Sequence, residues 1–148
     1  MIRTALRLSG MQAPIEIVRN AHGKPFCPNC IFHFSLTHTE GLTAIAVGNR
    51  EVGFDAERIK ERNFDAIKSR LTPAEREENF FKLWTAKESY VKYRGESLAT
   101  LLPTLIYEKG ALHVGGAPLN IVLQHFELEG CTLCLCTKTE ENVTFVKI

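Results

Sequence analysis

Asp55 and Glu57 stand two residues apart in VGFDAE, and Glu88 and Lys92 stand four apart in LWTAKESYVK. On a strand, alternate side chains leave the same face, so the two carboxylates can converge on one ion. On a helix, residues four apart share a face, so Glu88 and Lys92 present a carboxylate and an ammonium together. Clustered carboxylates suit Mg2+, which takes few of them, keeps waters and completes its shell with phosphate oxygens of a substrate. A lysine beside it neutralises the remaining phosphate charge. Each pair alone equally describes a solvated surface pair or the wet face of a strand. Their joint occurrence carries the chemical reading.

The elements that must position these groups follow from periodicity and punctuation. Residues 1–8 read as a helix end stopped by Gly10, and IEIVRN as a strand. The loop NAHGKPFCPNC leads to strand candidates IFHFSL and LTAIAVG, and REVGFDAERI is a further strand. Thr72, Pro73 and Glu75 form a capping box with proline at the first helical position, and Gly95 is placed to end the helix. Within it Phe80, Leu83, Trp84 and Val91 recur at helical spacing and face a core. Lys87 and Lys92 can lay their methylenes on that core while their heads meet an anion. TLIYEKGALHV reads as a hairpin, and NIVLQHFEL, CTLCLCT and VTFVKI as strands. The expected class is α+β, an antiparallel sheet packed against one long helix.

A chain of 148 residues supports one core, so a single domain over 1–148 is expected. Eighteen Lys plus Arg against seventeen Asp plus Glu give a net charge of +1, which excludes the global basic field of nonspecific nucleic-acid binders. No stretch has the length of a membrane span and the N-terminus has no apolar leader segment, so the expected location is the cytoplasm. The odd count of five cysteines argues against a disulfide framework. Cys27-x-x-Cys30 with Cys131, Cys134 and Cys136 could supply a structural zinc site, but alternation with Leu133 and Leu135 favours buried strand cysteines.

Three blocks, GKP at Gly23 to Pro25, FSLTHT at Phe34 to Thr39, and VGFDAE followed by LWTAKESYVK, together resemble the 4′-phosphopantetheinyl transferase superfamily. The pairing of D-x-E with W-x-x-K-E-x-x-x-K is the specific part, and the likeness is to the larger type that activates peptide synthetases and acyl carriers. The resemblance implies Asp55, Glu57 and Glu88 as Mg2+ ligands, with Glu88 also the base for an acceptor serine. It implies Lys92 as a contact to the transferring phosphate, and Lys24, Thr37, His38 and Lys87 as further contacts to coenzyme A. The implied reaction moves the phosphopantetheine arm of coenzyme A to a serine of an acyl or peptidyl carrier protein. An acidic carrier would meet a positive patch such as Arg58, Lys60, Arg62, Lys68 and Arg70.

Departures from the family pattern shape the alternatives. The chain begins where the first half of the larger enzymes is already advanced, so Arg3 and Arg7 are candidates to replace missing coenzyme A contacts. Ala56 stands where a bulkier aliphatic is usual, and Glu96 where a basic residue is common. A degenerate member that binds coenzyme A or a carrier without transfer is the second reading, and a zinc-stabilised binding module the third. An exposed sheet edge would favour a homo-oligomer.

Overall fold

In the computed structural model, residues 1–61 and 65–148 are described. The elements run α1 (Ile2–Leu8), β1 (Val18–Arg19), β2 (Pro25–Phe26), β3 (His33–Thr39), β4 (Leu42–Gly48) and β5 (Gly53–Arg58). Next come α2 (Asp65–Lys68), α3 (Pro73–Arg76), α4 (Phe80–Arg94), α5 (Leu98–Leu101) and a 3-10 turn at Leu102–Thr104. The chain continues through β6 (Ile106–Glu108), β7 (Ala111–Val114), β8 (Ala117–Pro118), β9 (Val122–Leu128) and β10 (Cys131–Thr137). The fold is mixed α and β, and among the described residues the strands pair antiparallel in four small sheets ordered β1-β2, β3-β4, β5-β10-β9 and β6-β7-β8.

The helix expected from Thr72 to Gly95 is two helices. The capping box forms, with Glu75 N–H donating to Thr72 Oγ1 and Thr72 N–H donating to Glu75 Oε2, but α3 ends at Arg76. Asn79 restarts the chain as the N-cap of α4 by accepting from Lys82 N–H. An asparagine side chain that takes a backbone donor favours a new cap over an uninterrupted helix. Gly95 ends α4 as expected, in the left-handed region at φ 63°.

Helix α4 packs on β5 and β10 and buries Leu83, Ala86, Tyr90 and Val91 against Leu105, Tyr107, Leu112, Cys134 and Cys136. The stripe sits one step round from the expected one, for Phe80 and Trp84 are half-buried and stack with ring centroids 5.9 Å apart. Gly53 sets the closeness of α4 to β5. A Cβ added there would lie 1.9 Å from the Ser89 carbonyl oxygen and 2.4 Å from Tyr93 N. A side chain at that position would have to push the helix off the strand.

Two further clusters complete the interior, one around Val52, Phe54, Ala56 and Leu133, the other around Leu6, Met11, Ile15 and Phe34. Among the described residues the expected strand VTFVKI takes no ladder. Gln124 instead bonds both backbone groups of Glu141, and Phe145 meets Phe126 edge-on at 5.3 Å, so side chains rather than a ladder hold the tail. IEIVRN contributes only the two-residue β1, paired with β2.

Strand β5 lies at the edge of its sheet, and that edge is closed within the chain. Ser35, Thr37 and Thr39 on β3 turn their hydroxyls to it and accept from the backbone N–H groups of Phe54, Ala56 and Arg58, at 3.0, 3.1 and 3.1 Å. Alternate hydroxyls on one strand meet alternate amides on the next, so side chains do the work of a missing ladder.

Candidate active site

Gly53, Asp55 and Glu57 alternate along one face of β5, the face that Gly53 lets α4 approach. Asp55 is 6% exposed, not the wet strand carboxylate that its sequence context suggests. Its Oδ1 accepts from Lys92 Nζ at 2.7 Å and from Thr37 Oγ1 at 3.1 Å. Its Oδ2 is buried and meets no hydrogen-bond donor among the described residues. A buried carboxylate oxygen left in that state is costly unless a cation or a donor takes it.

Glu88 projects from α4 beside this pair and is half-buried. Burial raises its pKa most, the charge of Asp55 adds to that, Lys92 opposes it, and Glu57 raises it further, so it is pushed up to about 7. Glu57 is half-buried, faces Thr132 across the β5 to β10 ladder, and is near enough for Glu88 to feel its charge. The structure therefore brings Asp55, Glu57, Glu88 and Lys92 into one electrostatic neighbourhood. Among the described residues no three His, Cys, Asp or Glu side chains stand together as a cage that could hold a metal ion. An ion that keeps several waters requires no such cage, and the donor set here, hard carboxylate oxygens with one unsatisfied, suits it.

The remaining candidates fall elsewhere. Lys87 is held by Glu75 Oε1 at 2.5 Å, with side chains 6% and 2% exposed, so its head is engaged inside the protein. Burial alone would raise the Glu75 pKa, but Lys87 and the backbone N–H groups of Tyr107 and Thr72 hold it below the usual carboxylate range. Thr37 is buried, with its hydroxyl shared between Asp55 and Ala56. His38 is exposed.

Lys24 pairs with Glu51 near the C-terminal end of α4, in a cleft of about 300 Å³ lined also by His33, Tyr93 and Arg94. Glu96, which stands where a base is common, is paired with Arg94. Arg3 and Arg7 bond the carbonyls of Ile15 and Met11, holding the loop after α1. Of the proposed carrier patch, Arg58 bonds the carbonyls of Glu40 and Glu129 and Lys60 pairs with Glu40, while Lys68 and Arg70 are exposed. Arg62 lies outside the described residues.

Cys27 and Cys30 are joined by a disulfide, although the odd cysteine count argues against a disulfide framework. The tight Cys27-Pro28-Asn29-Cys30 turn, with Cys30 N–H donating to the Cys27 carbonyl, brings their Cα atoms to 5.3 Å. Those sulfurs are thereby removed from any zinc set. Cys131, Cys134 and Cys136 are buried and free, and burial pushes the Cys134 thiol up to about 12 and raises that of Cys136 as well. Thiols so held are small hydrophobes, as the alternation with leucine suggested.

Comparison with known proteins places the chain in a family. The family model described as the 4′-phosphopantetheinyl transferase superfamily matches residues 51–127, a segment that contains β5, α4 and the whole carboxylate and lysine group. The 4′-phosphopantetheinyl transferase gsp of Aneurinibacillus migulanus is 33% identical over 152 aligned positions, covering 88% of this chain and 62% of that protein. The 4′-phosphopantetheinyl transferase psf-1 of Bacillus pumilus is 38% identical over 134 positions, covering 79% of this chain and 58% of that protein. The 4′-phosphopantetheinyl transferase AcpT of Escherichia coli strain K12 is 29% identical over 153 positions, covering 93% and 74%. The chain belongs to the 4′-phosphopantetheinyl transferase superfamily. It spans 62% of the gsp protein and 50% of the Bacillus subtilis relative. Among the described residues no helix is long and apolar enough to cross a membrane.

Proposed function

We propose that the chain carries the Mg2+-dependent transfer of 4′-phosphopantetheine from coenzyme A to a serine of an acyl or peptidyl carrier protein. The observation that carries this reading is the meeting of Asp55, Glu88 and Lys92: an unsatisfied carboxylate oxygen, a carboxyl poised near neutrality and an ammonium at one place. Asp55 and Glu88, with Glu57 beside them, would hold Mg2+. When bound, the ion supplies Lewis-acid stabilisation of charge on the pyrophosphate oxygens.

The chain's own residues do the rest. Lys92 has 29% of its side chain exposed and can turn its head from Asp55 to a phosphoryl oxygen. Glu88, four residues before Lys92 on α4, is the carboxylate that accepts the proton of the attacking serine in this reading. The serine Oγ–P bond forms, the P–O bond to adenosine 3′,5′-bisphosphate breaks, and the negative charge stays with that leaving group. Most of the rate in such a transfer comes from in-line positioning and charge stabilisation.

Incubating the protein with coenzyme A, Mg2+ and an apo carrier protein tests this reading. A mass gain of one phosphopantetheine on the carrier supports it, and an unmodified carrier with saturating Mg2+ or Mn2+ overturns it. A binding-only homologue is the second reading, favoured by the Lys24–Glu51 pairing, which leaves that lysine already neutralised. Coenzyme A binding without a mass gain would select it.

A further inference from the structure

We infer that Thr37 is a positioning residue that assigns Asp55 its ligand atom. By donating to Oδ1 it leaves Oδ2 as the oxygen offered to a divalent cation. The inference rests on the reading of Asp55 as a metal ligand.

A hydroxyl has one proton to give and lone pairs to accept with. The Thr37 oxygen lies 3.1 Å from Ala56 N, and a backbone N–H can only donate, so there the hydroxyl must accept. Its proton is then committed to Asp55 Oδ1 at 3.1 Å. Lys92 adds a second donor to the same oxygen at 2.7 Å. Two donors on Oδ1 fix the carboxylate about its last torsion and leave Oδ2 bare. Thr37 is 4% exposed, so the hydroxyl is enclosed.

The ladder that holds Thr37 contains its own controls. Ser35 and Thr39 accept from Phe54 N and Arg58 N just as Thr37 accepts from Ala56 N, but among the bonds of the described residues neither reaches a carboxylate of the site. Removing either hydroxyl orphans a backbone N–H of β5, as removing that of Thr37 does. Loss of the strand contact and loss of the Asp55 contact are therefore separable.

The experiment measures Mn2+ binding to the metal-free full chain by electron paramagnetic resonance, beside the thermal midpoint of each variant. Thr37→Val is expected to weaken Mn2+ binding about 10- to 100-fold, the usual effect of removing a group that orients a metal ligand. Thr37→Ser, which keeps both hydrogen bonds, should bind as the parent does. Ser35→Ala and Thr39→Val should lower the midpoint much as Thr37→Val does and leave Mn2+ affinity unchanged. Should Thr37→Val fail to fold, Thr37→Cys keeps the volume and weakens the donor, and carries the same comparison. Asp55→Asn separates the two layers: if it binds Mn2+ like the parent, the metal reading itself fails. If Asp55→Asn loses the ion while folded Thr37→Val or Thr37→Cys retains full affinity, the positioning role of Thr37 is overturned. Equal losses of affinity in Ser35→Ala and Thr39→Val would likewise overturn it, since the effect would then be one of strand placement.

Discussion

The ammonium of Lys92 donates to Asp55 Oδ1 at 2.7 Å, tying α4 to β5 between residues 37 apart in the chain. Lys92→Met keeps the apolar stem and removes this link together with the proposed phosphate contact. The expected stability cost is about 1 to 3 kcal/mol, that of a hydrogen bond to a charged group. Coenzyme A affinity and labelling rate should both fall, and added Mg2+ should restore neither. Isothermal titration beside a carrier-labelling assay measures the two, and parental values for both would remove Lys92 from the site.

Asp55→Asn keeps the shape of a buried side chain and deletes the charge that Lys92 and Thr37 address. Labelling at ordinary Mg2+ should disappear while the circular dichroism spectrum stays that of the parent. Asp55→Ala removes the acceptor altogether and should be the less stable of the two, because a buried donor left unpaired costs about 1 to 3 kcal/mol. Urea melts of both variants check the order.

Glu88→Gln keeps size and hydrogen bonding but removes the proposed base, so turnover should fall by roughly a hundredfold or more. The pH dependence has a definite sign. With a folded-state pKa of about 7 against an ordinary 4.5, the folded chain keeps a proton that the unfolded chain has released. Stability of the metal-free protein therefore falls as pH rises between those values and is level above them. Glu88→Gln escapes this fall, so in chelator it should be the more stable protein above neutrality and gain nothing below the ordinary carboxylate pKa. Mg2+ should bind more tightly at alkaline than at acidic pH, with proton release.

Glu75→Gln leaves the Lys87 ammonium buried without its counter-charge, and the expected loss is about 3 to 5 kcal/mol. The folded pKa of Glu75 lies below its ordinary value, so its contribution is complete above that value and is lost as pH falls through the lowered one. The gap between parent and variant in urea melts should therefore hold steady near neutrality and narrow in acid. A gap unchanged by acid would mean that the pair is not ionised in the folded chain.

Gly53→Ala places a methyl group 1.9 Å from the Ser89 carbonyl, which backbone cannot accommodate without moving. Helix α4 should shift from β5, separating Glu88 and Lys92 from Asp55. Labelling should fall further than the thermal midpoint alone accounts for, because the site spans the two elements that move. Wild-type labelling at a normal midpoint would show that this contact is slack.

The sequence by itself determined the parts of this site that depend on local spacing. Period two on a strand placed Asp55 and Glu57 on one face, and period 3.6 on a helix placed Glu88 beside Lys92, since each is a property of backbone geometry that neighbouring residues cannot change. The cap at Thr72 and the stop at Gly95 are equally local, and both stand. Tertiary structure decided which neighbour each charge meets. Lys87 and Lys92 look alike in sequence, yet one is locked to Glu75 and the other bridges to Asp55, because only the tertiary placement of α4 beside Glu75 of α3 and against β5 settles what each helix face touches. The break at Asn79 is not legible in local spacing because the apolar period continues across it while a side-chain cap competes with the helix. The alternation Ser35, Thr37, Thr39 was a visible signal of a hydroxyl edge, but its partner strand begins fourteen residues beyond Thr39 and no local rule names it. Burial of Asp55 had the same origin: a carboxylate on a short strand is wet or dry according to what lies over it, and what lies over it here is a helix more than twenty residues away in the chain.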